Sequence, residues 1–181
     1  MGKKIAVITG SPRKNGNSFA MTDAFIKEAE ARGHSVIRFD ANSLNVGGCR
    51  ACENCFKSGK ACAFDDDFNS IAPIVLEADT VVYTMPVYWY SIPAKIKAVI
   101  DKMFPFCMEG ENITGKGCGL ICCCAEDDMS VMDGVRIPIE RTATLLKWHM
   151  VGEVLIPGVQ NAGDIERTDG CKQAAALAEK I

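Results

Sequence analysis

The chain has 181 residues, a net charge of −3 at neutral pH and an isoelectric point near 5.4. Its length suffices for one domain with a full hydrophobic core, and no linker-like stretch predicts a second, so we expect residues 1–181 to form a single domain. The acidic balance argues against a nucleic-acid ligand, and no segment is typical of a signal peptide or a membrane span, which predicts a cytosolic protein that binds no membrane.

Apolar β-rich segments alternate along the chain with segments of helical periodicity. The predicted strands are residues 5–9, 35–39, 80–85, 118–124 and 151–156, and the predicted helices are residues 19–29, 67–77, 94–104, 131–149 and 168–181. Pro73 lies inside the second helix, which we therefore expect to begin late or to kink. Continuously apolar strands separated by helices predict an α/β protein with a five-stranded parallel sheet, order 2-1-3-4-5, in a doubly wound three-layer sandwich.

The turn between the first strand and the first helix, residues 10–18 with the sequence GSPRKNGNS, is the most informative segment. It lies where nucleotide-binding folds hold a phosphate on free backbone N–H groups and on a helix dipole. Neither the P-loop pattern nor the Rossmann glycine pattern fits these residues, which favours a compact monophosphate over a triphosphate or a dinucleotide. The predicted donors are the hydroxyl, guanidinium, amide and backbone groups of Ser11, Arg13, Asn17 and Ser18.

The third strand leads into an aromatic loop at the same edge of the predicted sheet. Pro86, Val87, Tyr88 and Trp89 begin this loop, and they could flank a flat heteroaromatic ring. By themselves such aromatic residues are more typical of packing or an interface. Their expected position beside the phosphate loop favours a cofactor site.

Taken together, these segments resemble the flavodoxin-like NAD(P)H-dependent FMN reductases, and within them the iron-sulfur flavoprotein branch. The resemblance also rests on the Asp65–Asp67 triplet, on Ala78-Asp79, on Lys97 with residues 100–102, and on residues 115–117. It implies a flavodoxin-like fold and noncovalent FMN, with the phosphate at Ser11, Arg13, Asn17 and Ser18. The ring would lie against Pro86, Val87, Tyr88 and Trp89.

Two segments depart from the family pattern. After the fourth strand the family often has a glycine-rich loop, whereas this chain has the bulkier, acidic segment 122–128. The helix after the aromatic loop commonly ends in Asp-Arg, and here it ends in Asp101-Lys102, a change that we expect to affect packing or assembly more than flavin binding.

Cys49, Cys52, Cys55 and Cys62 form a C-x2-C-x2-C-x6-C pattern in a loop of about residues 47–64. This spacing could wrap a cubane, and the resemblance makes a [4Fe–4S] cluster the leading ligand. Zinc on four thiolates and four unliganded thiols remain alternatives. The other six cysteines, at positions 107, 118, 122, 123, 124 and 171, are predicted to be buried small hydrophobic residues.

The sequence therefore predicts an FMN-dependent oxidoreductase that passes electrons from NAD(P)H or a protein donor to a quinone, a nitroaromatic or a flavin. We assign no catalytic acid or base, because the cofactor carries the chemistry. One alternative is an electron carrier in which a cluster on the Cys49–Cys62 loop takes electrons from ferredoxin. Another is a non-catalytic FMN-binding or metal-binding module. By analogy with the family, we expect a homodimer or homotetramer in which exposed Trp89 and Tyr90 become buried.

Overall fold

A computed structural model describes residues 2–109 and 113–181 of the chain. Its five parallel strands form one sheet with the order β2-β1-β3-β4-β5, which confirms the predicted fold. The strands are β1 (Lys4–Thr9), β2 (Ser35–Asp40), β3 (Thr80–Pro86), β4 (Gly117–Cys123) and β5 (His149–Ile156). The helices are α1 (Asn17–Ala31), α2 (Phe68–Glu77), α3 (Ala94–Asp101), α4 (Phe106–Glu109), α5 (Asp133–Leu145) and α6 (Gly170–Leu177).

Two hydrophobic cores lie on opposite faces of the sheet, because successive strand side chains point to opposite sides. Ile5 and Val7 of β1 face the core beneath α1 and α6, which contains Met21 and Phe25. Ala6 and Ile8 face the core beneath α2, α3 and α5. The strands β3 and β4 are buried along almost their whole length, which accounts for their continuously apolar sequences.

Several predicted element ends were wrong. The helix predicted to extend to residue 149 ends at Leu145, because Lys147 adopts a left-handed backbone with φ 55°, and His149 begins β5 instead of ending a helix. Helix α3 ends at Asp101, ahead of Phe104, with Pro105 close behind. Helix α2 begins at Phe68 and continues through Pro73, so the late start that the proline allowed is not observed.

Candidate functional site

A cavity of about 240 Å³ opens at the carboxyl edge of the sheet, where parallel α/β folds hold their ligands. Four connections meet there, those that follow β1, β3, β4 and β5. The cavity is lined by Ser11, Arg13, Gly16, Asn17, Ser18, Pro86, Val87, Tyr88, Cys123, Cys124, Ala125, Val159, Gln160 and Ala162. Seven of the eight predicted cofactor residues therefore line this one cavity, and Trp89 is the exception.

The turn after β1 is held in a tight loop by its own backbone. The Gly16 N–H donates to the Arg13 carbonyl at 3.0 Å, and the Arg13 N–H donates to Ser11 Oγ at 3.2 Å. A Cβ at Gly16 would lie 3.0 Å from that carbonyl oxygen, so only glycine fits this close approach comfortably. The Asn42 side chain donates to the Gly10 carbonyl at 2.9 Å and fixes the loop from the side of β2.

Hydrogen-bond donors of this turn remain available to an anion. Ser11 and Ser18 are buried at the cavity wall, whereas Arg13 is exposed. The Arg13 guanidinium makes no hydrogen bond or ion pair with any residue in the described ranges 2–109 and 113–181. Because α1 begins at Asn17, its first N–H groups lack carbonyl partners within the helix. The turn thus has the donor set that a phosphate monoester needs.

The Asn17 side chain has a different role from the predicted one. Its amide donates to the carbonyl oxygens of Val159 at 3.3 Å and Asn161 at 2.9 Å, and its Oδ1 accepts from the Ile165 N–H at 3.2 Å. Both amide protons are therefore used within the protein. Asn17 attaches the segment after β5 to the start of α1, and only its backbone N–H is left to face an anion.

Pro86, Val87 and Tyr88 line the same cavity as the turn after β1. The Val87 N–H donates to the Cys123 carbonyl at 2.9 Å, which continues the pairing of β3 with β4 beyond the strand end. Tyr88 and Ser91 then close a two-residue hairpin by exchanging backbone hydrogen bonds of 3.0 Å. The turn residues of this hairpin are Trp89 and Tyr90, both left-handed, with φ of 47° and 58°.

Trp89 lies outside the main cavity because this turn projects it into solvent, where it is 94% exposed. It lines a neighbouring depression of about 220 Å³, which shares Val87, Cys124 and Ala125 with the main cavity. The neighbouring Glu126 carboxylate, which lines the same depression, raises the pKa of Tyr90. The two hollows thus form one trough.

Gly134 allows the hairpin to pack on the N-terminus of α5. A Cβ at this position would lie 1.8 Å from the Tyr90 carbonyl oxygen, a contact that no side chain could make. The position of the aromatic turn therefore depends on a glycine far from it in sequence.

The segments after β4 and β5 complete the cavity, and sequence reasoning missed most of this wall. Cys123, Cys124 and Ala125 come from the first segment, and Val159 and Gln160 come from the second. The predicted sheet order already placed the carboxyl end of β5 at the same edge as the other strand ends. That position was the signal from which this wall could have been predicted. Pairing of the Val159 N–H with the Cys124 carbonyl at 2.9 Å joins the two segments.

Thiols at this wall are held protonated. Burial, and then the neighbouring Cys124, raises the pKa of Cys123 to about 12. Burial also raises the pKa of Cys124. Neither thiol is a nucleophile near neutral pH, because the thiolate is the reactive form. Among the other predicted buried cysteines, Cys118 and Cys122 are buried, but Cys107 is exposed and Cys171 is half-buried, which corrects the expectation for these two.

Cys49, Cys52, Cys55 and Cys62 line a second, small cavity of about 30 Å³ on another part of the molecule. Burial raises the pKa of Cys55, and the neighbouring Cys52, Cys62 and Cys49 raise it further, which indicates that the four thiols lie close together. Within the described ranges, no three His, Cys, Asp or Glu side chains are arranged around a single metal ion. A [4Fe–4S] cubane does not require three side chains around one ion, because each of its four cysteine ligands binds a different iron.

The backbone of this cysteine loop is unusual. Ala51, Glu53 and Phe56 all have left-handed backbones, with φ of 50°, 54° and 59°. Non-glycine residues seldom adopt this conformation, so the loop holds three residues in a sparsely populated backbone region. The four thiols that line one cavity are the donor set that an iron-sulfur cluster takes.

Comparison with known protein families matches residues 3–132 to the family described as NADPH-dependent FMN reductase. An iron-sulfur flavoprotein of Archaeoglobus fulgidus is 37% identical over 114 residues, which cover 63% of this chain and 50% of that protein. One from Methanosarcina thermophila is 33% identical over 99 residues, which cover 55% of this chain and 51% of that protein. The chain spans about half the length of these curated relatives.

Solved structures show the same fold at low sequence identity. The azoreductase of Bacillus anthracis superposes with a TM-score of 0.72 at 20% identity, over 99% of this chain and 100% of that one. An NAD(P)H:quinone oxidoreductase from Methanothermobacter marburgensis also gives 0.72, at 16% identity over 98% of this chain and 95% of that one. No helix in residues 2–109 and 113–181 combines the length and apolar character that crossing a bilayer requires.

Proposed function

The chain belongs to the NADPH-dependent FMN reductase family, and on this premise we propose that it is an FMN-dependent oxidoreductase that passes electrons from NAD(P)H or a protein donor to a small acceptor. Quinones, nitroaromatics and flavins are the acceptors we expect. The observation that carries the proposal is the single cavity in which the turn after β1 faces Pro86, Val87 and Tyr88. Free cysteines at all ten positions fit a reducing compartment, so we place the protein in the cytosol.

The hydrogen-bond donors that line the cavity match the phosphate group of FMN. We propose that the Ser11 and Ser18 hydroxyls, the Arg13 guanidinium and the N–H groups at the start of α1 hold its phosphate. The Asn17 amide takes no part in this contact, since it is bound to the segment after β5. Trp89 would act at the outer end of the trough, next to the ring site and not within it.

When bound, FMN supplies the capacity to accept a hydride from a nicotinamide and to deliver the electrons onward. The chain's own residues would bind this cofactor and orient its ring. Val87 and Tyr88 cover one side of the cavity, Cys124 and Ala125 form the adjoining wall, and the depression lined by Trp89 stays open to donor and acceptor. Because the Cys123 thiol is protonated, it adds no negative charge beside the site.

We further propose that the active form is a homodimer or homotetramer. Trp89 and Tyr90 are 94% and 60% exposed at the mouth of the trough, where a second subunit could cover them. Large aromatic residues at such positions are typical of interface cores.

A second candidate function is that of an electron carrier with a [4Fe–4S] cluster on Cys49, Cys52, Cys55 and Cys62, reduced by a ferredoxin-like protein. It is favoured by the four thiols on one cavity and by the names of the relatives. The cluster would supply one-electron transfer beside the two-electron chemistry of FMN.

Steady-state NAD(P)H oxidation with a quinone acceptor tests the first candidate. Activity should require added FMN and should be lost in protein stripped of flavin. Oxidation at equal rates with and without FMN would contradict the proposal.

Iron and sulfide assays on anaerobically purified protein test the second candidate. Cys52→Ala should remove the iron, whereas Cys107→Ala, which changes an exposed thiol outside the loop, should not. Equal iron in both variants, or none in the wild type, would reject the cluster and leave the reductase proposal standing.

A further inference from the structure

Lys102 is buried beside the cysteine loop. It is the cation in the Asp101-Lys102 pair that departs from the Asp-Arg ending of the family, and its side chain is only 4% exposed. A buried ammonium is costly unless it is paired, and here Nζ pairs with Asp66, whose side chain is 10% exposed. The same Nζ lies 3.6 Å from Cys62 Sγ, within hydrogen-bonding reach of a sulfur acceptor.

Asp66 is held firmly in this arrangement. Its Oδ2 also accepts from the Gly47 N–H at 3.1 Å, and its Oδ1 accepts from the Phe68 N–H at 3.1 Å at the start of α2. Burial alone would raise the pKa of Asp66, but these hydrogen bonds and the Lys102 charge lower it. The carboxylate is therefore ionised near neutral pH and keeps Lys102 in place.

Cys62 is also anchored through its backbone. Its backbone N–H donates to Asn69 Oδ1 at 2.8 Å, which attaches it to α2, whereas Cys49 and Cys52 are exposed. Cys62 is thus the member of the four whose sulfur already has a fixed, charged neighbour.

We propose that Lys102 is a positioning residue that donates a hydrogen bond to the Cys62 thiolate and holds the reduction potential of a cluster in this loop at a higher value. The inference rests on the second candidate function. A cluster becomes more negative by one charge when it takes up one electron, so a fixed cation beside a ligand sulfur stabilises the reduced form more than the oxidised form. The lysine changes an equilibrium and does not itself react.

The test is a redox titration of anaerobically reconstituted protein with dithionite, in which the cluster is followed by electron paramagnetic resonance and the flavin by absorbance. In Lys102→Met the equilibrium constant for cluster reduction should fall about tenfold, equal to about 59 mV for one electron. Lys102→Arg should restore most of this change. Lys97→Met removes an exposed cation of α3, the helix that ends just before Lys102. Lys97 is paired with Asp101, and this variant should leave the potential unchanged.

Lys102→Met leaves Asp66 unpaired and could fail to fold. The double variant Lys102→Met/Asp66→Asn removes both charges, and neutral replacement of a buried pair is often tolerated. The double variant should also have a lowered cluster potential, by less than the single variant, since the sulfur still loses its donor.

A cluster potential in Lys102→Met or in the double variant equal to that of the wild type, at equal iron content, would overturn the inference. Wild-type protein that binds FMN but takes up neither iron nor sulfide would overturn it together with the cluster. The flavin signal in the same titration keeps that result separate from a failure of the FMN proposal.

Discussion

Asn17 illustrates how one side chain can decide the shape of a binding cavity without touching the ligand. Its three hydrogen bonds join the start of α1 to the segment after β5, and the residue is only 8% exposed. Two walls of the cavity therefore depend on one amide. The identity of this residue could be predicted as important from the turn sequence, but its partners could not, because they lie more than 140 positions away in the chain.

We expect Asn17→Ala to lower the free energy of unfolding by about 2 kcal/mol, since it leaves two carbonyl groups and one N–H without their partner in a buried place. Urea unfolding followed by circular dichroism measures this. Asn15→Ala, in the exposed part of the same turn, is the matched control and should change the value by less than about 0.5 kcal/mol. Equal stability of Asn17→Ala and the control would show that the amide does not hold the segment.

The buried thiols of β4 should make the free energy of unfolding depend on pH in the alkaline range. Burial raises the pKa of Cys118 from 9.0 to about 12. Above pH 9 the unfolded chain releases this proton while the folded chain retains it, so the free energy of unfolding should fall as the pH rises from 9 to 12. The fall contributed by one such thiol approaches about 1.4 kcal/mol per pH unit.

Urea unfolding at a series of alkaline pH values, under reducing conditions, measures this fall. Cys118→Ala should be less stable than the wild type near neutral pH because of the smaller side chain, yet its stability should decline less steeply with pH. The exposed Cys107→Ala should follow the wild-type slope. Parallel slopes for all three proteins would contradict the expected effect of burial.

At the scale of the element, the hairpin from Tyr88 to Ser91 stands out. Its two turn positions require positive φ, a conformation that Asn-Gly adopts easily, and here both are occupied by large aromatic residues. Each such residue costs about 1–3 kcal/mol. Because this strain lies at the mouth of the candidate site, we expect the aromatic rings to serve binding or assembly and not folding.

Replacing the turn by Trp89→Asn with Tyr90→Gly should therefore raise the free energy of unfolding by about 1–2 kcal/mol. The same change should weaken self-association, because it removes the exposed rings. Urea unfolding and sedimentation velocity measure the two effects. Lower stability together with unchanged association would contradict both expectations.

The elements themselves were predictable where local pattern decides them. All five strands and the sheet order follow from apolar runs and from right-handed crossovers. The errors in the prediction lie at the ends of helices, where tertiary contacts and not the local sequence decide the last residue. Lys147 ends α5 early in a left-handed conformation, and the next residue is fixed by packing, since the buried Trp148 donates its indole N–H to the Ile113 carbonyl. No short-range signal predicts either feature.

At the scale of the whole molecule, the sheet brings four connections to one edge. The sequence predicted two of the cavity's walls from the turn after β1 and the loop after β3, because each carries a recognisable residue pattern. It missed the wall formed after β5, which contains Val159, Gln160 and Ala162. These residues match no recognisable sequence motif, and they line the cavity only because the fold brings them there. We propose that the chain from residue 1 to 181 forms a single flavodoxin-like domain built around this edge.

Binding of the FMN phosphate at this edge of the sheet is measured by equilibrium titration of flavin fluorescence with purified protein. The wild type should bind FMN much more tightly than riboflavin, which lacks the phosphate. Arg13→Ala should weaken FMN binding at least tenfold, because it removes a charge-assisted hydrogen bond worth about 1.5–3 kcal/mol. Lys14→Ala, a neighbouring exposed cation outside the cavity lining, should bind nearly as the wild type does. Absence of FMN binding would rule out a phosphate site at this edge. Equal affinity of the wild type for FMN and riboflavin, together with an FMN affinity of Arg13→Ala equal to that of the wild type, would rule it out as well.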